Sequence, residues 1–202
     1  SNSTMLKIST ANTFVEITDT IVSLQPIEAL QQANIAEAFG LNISDTIPDM
    51  EAIELTFSFY QDDELTHSMQ KTLISQSPDL NWQTVTLNDE IGGNANGIFE
   101  PGEIVTLSMS LENTGSIAPE SITAHIEDIS KNIILLNDTV TYTPENNETN
   151  YTINFAIQAG NEQISGSNLS LVCSGAYDSF QLPQKQFNCI VGQALEDFET
   201  GD

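Results

Sequence analysis

Alternation of apolar and polar residues at a period of two runs through this chain and constrains its fold more than any other feature. Val105, Leu107, Met109 and Leu111 alternate with Thr106, Ser108 and Ser110. Tyr151, Ile153, Phe155 and Ile157 alternate with Thr152, Asn154 and Ala156, and Ile53, Leu55, Phe57 and Phe59 with Glu54, Thr56 and Ser58. Successive side chains of an extended backbone point to opposite faces, so each run predicts a strand with one buried and one solvated face. Gly92-Gly93-Asn94, Asn113-Thr114-Gly115, Pro144-Glu145-Asn146-Asn147 and Gly160-Asn161 punctuate the runs, and these are the residues that tight turns demand. Short strands separated by polar turns predict an all-β chain.

The pattern also occurs twice. Asp19-Thr20-Ile21-Val22 before Pro26 echoes Asp138-Thr139-Val140-Thr141 before Pro144. Phe39 and Phe155, Leu55 and Leu171, and Ile74 and Ile190 are each separated by 116 residues. A constant offset across three segments predicts one structural unit used twice. The reading is two consecutive immunoglobulin-like β-sandwich modules. The first spans residues 4–77 and the second residues 78–193, the latter with seven strands. Nothing in the first half matches Gln83–Leu87 or Ile104–Leu111, so the first module is expected to lack its first strands and to leave a sheet edge and part of a core open. Residues 1–3 read as an expression-vector remnant joined to an internal start, and residues 194–202 as a linker to a following domain. One conflict is local. Ile27–Phe39 is rich in helix formers between Pro26 and Gly40, while the repeat puts Ile35–Ile43 on a strand. The strand is the expectation.

Charge narrows the partners. Lys and Arg together number 4 against 29 Asp and Glu, a formal net charge of -25. Such a surface repels nucleic-acid phosphates and anionic lipid heads, which excludes both as partners. No apolar run of 18 residues exists to span a membrane as a helix. Cys173 and Cys189 are too few for a disulfide framework and read as small buried hydrophobes or as one bridge across a hairpin.

The stretch Asn94-Ala95-Asn96-Gly97-Ile98-Phe99-Glu100-Pro101-Gly102-Glu103, leading into IVTLSMSLENTG, resembles the entry of immunoglobulin-like accessory modules. Such modules follow the catalytic domain of gingipain-like cysteine peptidases and related surface adhesins secreted by Bacteroidota. Phe14-Val15-Glu16-Ile17-Thr18-Asp19 and Ile47-Pro48-Asp49 resemble later parts of the same module, and Glu196–Asp202 resembles the opening of a jelly-roll adhesin-type domain. The resemblance implies a non-catalytic spacer of a larger secreted or cell-surface bacterial protein, whose partners are neighbouring domains of the same chain. An adhesin-like module that captures host protein or glycan is the alternative. Asp19-Thr20-Ile21, Asp45-Thr46-Ile47 and Asp138-Thr139-Val140 resemble the O-glycosylation signal of exported Bacteroidota proteins, which implicates Thr20, Thr46 and Thr139; ordinary strand-entry turns are the other reading.

One constellation invites a metal. With Gly97 as sixth residue of the twelve-residue loop Gly92–Glu103, Asn94, Asn96, the Ile98 carbonyl, Glu100 and Glu103 fall at calcium-ligand spacing, with Asp89 able to fold back. Gly92 stands where an EF-hand has Asp, and the loop exits into a strand. Either calcium fixes this loop between the modules, or the side chains cap their own backbone. No cofactor is otherwise implied. Catalysis finds little support: His125 alternates onto the wet face, His67 sits near a hairpin tip, and the two Cys face inward. Trp82, near the module junction, is read as packing a domain interface or stacking a sugar.

Overall fold

The structure, a computed structural model, describes residues 4–25, 32, 34–145 and 148–193. The expected vector remnant, the linker with its following-domain opening, Asn146-Asn147 of one turn, and residues 26–31 and 33 of the helix-forming stretch lie outside the described residues. The fold is all-β, and the chain divides into two compact units between Ser77 and Pro78.

The first unit contains β1 (Thr4–Thr10), β2 (Val15–Ile17), β3 (Ile21–Leu24), β4 (Leu41–Ile43), β5 (Ala52–Gln61) and β6 (Glu64–Ile74). They form a four-stranded sheet in the order β3-β1-β5-β6 and a two-stranded sheet β2-β4. Asp62 and Asp63, both at positive φ (51° and 67°), close β5 onto β6. Positive φ at both central residues gives the turn whose twist matches a hairpin. The strand expected over Ile35–Ile43 is confined to β4. Residues 34–40 are irregular, with Glu37 at φ 53°, a left-handed conformation that interrupts extended backbone.

The second unit contains β7 (Leu80–Asn88), β8 (Ile104–Asn113), β9 (Ile122–Asp128), β10 (Ile133–Leu135), β11 (Thr139–Tyr142), β12 (Asn150–Ala159), β13 (Asn168–Tyr177) and β14 (Phe180–Ile190). The described residues form eight strands rather than seven, because the chain leaving β9 adds three residues to the opposite sheet as β10 before returning as β11. The sheets run β10-β12-β8-β7 and β11-β9-β13-β14. Along β8 every second residue is buried, as the alternation dictates. Val105, Met109, Phe155 and Ile157 from one sheet meet Ile122, Ile126, Leu171 and Cys173 from the other in one continuous core. Each such fully buried large apolar side chain contributes about 1.5–3 kcal/mol.

The repeat is carried by strand pairing residue for residue. The order β3-β1-β5-β6 matches β11-β9-β13-β14, and β2-β4 matches β10-β12. Lys7 opposite Ser58 corresponds to His125 opposite Ser174, and Val15 opposite Ile43 to Ile133 opposite Ala159. Both hairpins also shift register, between Phe59 and Tyr60 in β5-β6 and between Cys173 and Gly175 in β13-β14. One sequence echo is off by a residue. Thr20 aligns by identity with Thr139, but Ile8 N–H donates to the Thr20 carbonyl where Ile126 N–H donates to that of Asp138. The ladder, not the resemblance of Asp-Thr dipeptides, fixes register, because a one-residue slip would turn every side chain to the wrong face.

The first unit has no counterparts of β7 and β8 among the described residues. Its core is correspondingly small: Ile8, Val15, Ile47, Ile53 and Leu55, with Phe14, Phe39, Leu41 and Phe57 only partly covered. Every residue of β6 is exposed, whereas its counterpart β14 buries Leu182 and Cys189. The fold is thus two consecutive immunoglobulin-like sandwich modules, the first with no counterparts of the opening strands of the second among its described residues.

Candidate functional site

The polar loop between β7 and β8 brings five of its six sequence-assigned residues together through their side chains. Asp89 is buried, and its Oδ2 accepts the Gly97 N–H at 2.8 Å. Glu103 spans the loop base: Oε1 accepts the Asn94 N–H and Oε2 the Glu100 N–H, each at 2.9 Å. Glu100 Oε2 accepts from Nδ2 of Asn94 at 2.6 Å and of Asn96 at 3.1 Å. Asn94 and Asn96 each accept a backbone N–H two residues on, from Asn96 and Ile98 respectively. These are Asx turns, the local bonding that makes Asn a turn residue. Ile98 contributes this amide bond. The tightness requires glycine at 93, where an added Cβ would lie 2.5 Å from the Asp89 carbonyl oxygen and 2.6 Å from Glu103 Oε1.

Sequence reasoning missed what anchors this loop. Phe99 is completely buried in the second core, and its carbonyl accepts the Gly192 N–H at 2.7 Å, which ties the loop to the end of β14. A lone aromatic inside a run of Asn, Gly and Glu was the legible signal. The Pro-Gly-Glu step serves the same closure: Gly102 N–H donates to the Ala159 carbonyl at 3.0 Å and Gln158 Nε2 to the Gly102 carbonyl at 2.8 Å. Chemically, the loop's carboxylates bind the loop's own amides. Among the described residues no three His, Cys, Asp or Glu gather so as to hold a metal ion.

The Asn-Thr-Gly turn after β8 is a second staple. Asn113 is buried, accepts from the N–H groups of Asp79 and Gly115 at 3.0 Å, and donates to the Ile117 carbonyl at 2.7 Å. Beside it lies an open depression of about 470 Å³ bordered by Gly115, Ile117, Ala118, Glu148 and Thr149. The Glu148 carboxylate there is engaged by the Tyr142 hydroxyl at 2.8 Å, which raises the Tyr142 pKa.

The remaining candidates are dispersed. Thr20, Thr46 and Thr139 are all exposed; Thr46 Oγ1 bonds Ser44 Oγ at 2.9 Å, and Thr139 Oγ1 donates to Asp138 at 3.0 Å and lies 3.1 Å from His125 Nδ1. Both thiols are free and buried. In the β13-β14 ladder Cys173 faces Lys185 and Cys189 faces Leu169. That is four residues apart, roughly 13 Å, beyond the ~7 Å a disulfide tolerates. Burial pushes both thiols up to about 12, helped at Cys189 by the charge of Asp128. Trp82 binds within its own unit, donating Nε1–H to the Pro183 carbonyl at 2.9 Å and so pinning β7 to β14.

No protein-family model and no curated protein matches the sequence.

Proposed function

We propose that this chain is a non-catalytic structural segment of a larger secreted or cell-surface protein, a spacer that holds its neighbours in place. The observation that carries this reading is where the polar chemistry goes. The loop richest in carboxylates and amides closes on itself and on β14, and Asn113 staples the start of β7 to the turn after β8. A catalytic thiol needs a depressed pKa and an adjacent base. Here the thiols are shifted the other way, and His125 sits on the outer face. The Asn/Gly, Pro-Gly-Glu and Asn-Thr-Gly motifs that resemble post-catalytic modules of gingipain-like peptidases support such a parent protein. Extracellular glycans on Thr20, Thr46 and Thr139 would suit their exposure.

The test is the chain itself, presented to immobilised extracellular-matrix proteins and a glycan panel, and assayed against peptide and glycoside substrates. Neither saturable binding nor turnover is expected. Saturable binding that a loop substitution abolishes would replace the spacer reading with a binding module, and turnover would replace it with an enzyme.

A further inference from the structure

The face of the first unit that β7 and β8 cover in the second carries Phe57, Met69 and Leu73, and among the described residues no second strand pairs with β4 beside β2. In the two-stranded sheet, Ser44 N–H donates to the Phe14 carbonyl and Thr18 N–H to that of Gly40. Alternate residues of an antiparallel strand point their backbone groups to opposite sides. Leu41 and Ile43 therefore direct N–H and C=O away from β2. Their counterparts Ile157 and Ala159 use those groups on β8 and the residues just ahead of it: Ala159 N–H donates to the Glu103 carbonyl, and the Ala159 carbonyl accepts from Gly102 N–H. The side chains follow the same logic. In the second unit Val85, Leu87 and Leu107 lie over Leu171, Phe187 and Cys189, leaving a gap of only about 10 Å³. In the first unit the positions of Cys173 and Cys189 hold Phe57, only partly buried, and Leu73, 38% exposed, with Met69 beside them at 49%.

We propose that this face is a docking surface for a two-stranded antiparallel hairpin with the alternation of β7 and β8. Its inner strand pairs with β4 through Leu41 and Ile43, and its apolar side chains, spaced two apart, cover Phe57, Met69 and Leu73. The topology selects this occupant. β7 and β8 lead directly into β9, the counterpart of β1, so that Ser121 abuts Ile122 where Thr4 begins β1. Lys71 shares the inner face with its cross-strand neighbour Leu55 and stands where the second unit has Phe187. The hairpin therefore carries a carboxylate or other polar group opposite Lys71, unlike β7 and β8. This inference is independent of the spacer reading, since it concerns completion of the fold.

The experiment fuses a copy of residues 78–121 directly ahead of Thr4 in the full chain, with Lys71→Phe to match the copied strands. Amide exchange and binding of the dye anilinonaphthalene sulfonate are compared with the unfused chain. Exchange at Leu41 and Ile43 is expected to slow at least tenfold on fusion, with dye fluorescence falling several-fold. A parallel variant, Met69→Glu with Leu73→Glu in the unfused chain, is expected to lower dye binding without unfolding β5 and β6. Unfolding of those strands by the double variant would mean the face is already covered, and would overturn the proposal. So would unchanged exchange in a fused chain whose added strands are themselves protected. A dimer of the unfused chain that the double variant separates would assign the face to a second copy and overturn it equally. If the added strands do not fold, the double variant decides.

Discussion

Position 173 of the second unit is a cysteine with no exposed surface, while its counterpart in the first, the larger and more apolar Phe57, stays partly exposed. Cys189 and Leu73 form a second such pair, at 7% and 38% exposure. The strand plan is the same and the residues of the first unit are, if anything, more hydrophobic. Burial is therefore set by what lies across the sandwich, and two strands make the difference. The hydrophobic effect rewards only area removed from water, so a strand with the right alternation gains little until its partner sheet arrives.

The largest test of this comparison is the pair Phe155→Ala and Phe39→Ala. Phe155 is fully buried, and its removal should cost about 3–5 kcal/mol through lost transfer energy and a residual cavity. Phe39 packs edge-on to Phe57 at 6.0 Å with part of its surface in water, and its removal should cost about 1–2 kcal/mol, since partial burial leaves less transfer energy to lose. Trp82, the only tryptophan, lies in the second unit. Its fluorescence in a denaturant titration reports Phe155→Ala directly, and exchange of β1 and β5 amides reports Phe39→Ala. Equal losses would break the comparison.

Alkaline pH should separate the units next. Both cysteines lie in the second unit, and their thiols are held up to about 12 in the folded state against 9.0 for a solvated thiol. Above pH 9 the unfolded chain releases these protons while the folded chain keeps them. The stabilisation is thus fully present below pH 9 and lost as the pH rises toward 12, at about 1.4 kcal/mol per pH unit for each thiol. The Trp82-monitored midpoint should fall across that window, and Cys173→Ala should make the fall shallower. The first unit, without cysteine, lacks this contribution.

Asn113→Ala should cost about 1–3 kcal/mol in the second unit, because the Asp79 and Gly115 amides and the Ile117 carbonyl lose their partner at a buried site. Retention of full stability would show that water replaces the staple. The smallest effect belongs to Glu103→Gln, which replaces one of two charge-assisted acceptors of loop amides and should cost about 1 kcal/mol. Millimolar calcium should leave the thermal midpoint unchanged, since Asp89, Glu100 and Glu103 already bond within the loop. An upward shift, lost in Glu103→Gln, would make this loop a cation site.

Period-two alternation by itself determined the all-β class, alternating strands such as β5, β8 and β12, the outward His125 and the inward cysteines, because a side chain's direction follows from its place in an extended chain. The 116-residue offset determined that one plan is used twice and that two strands have no counterpart. Only the tertiary structure decided the rest. It set the register that aligns Thr20 with Asp138, the burial of Phe99 inside a polar loop, and the engagement of Glu103 by the Asn94 and Glu100 amides. Each of these depends on contacts between residues distant along the chain or on the three-dimensional closure of a loop. Spacing records which groups lie near one another in order, whereas pairing across sheets decides which of them spend their hydrogen bonds and which surfaces leave water.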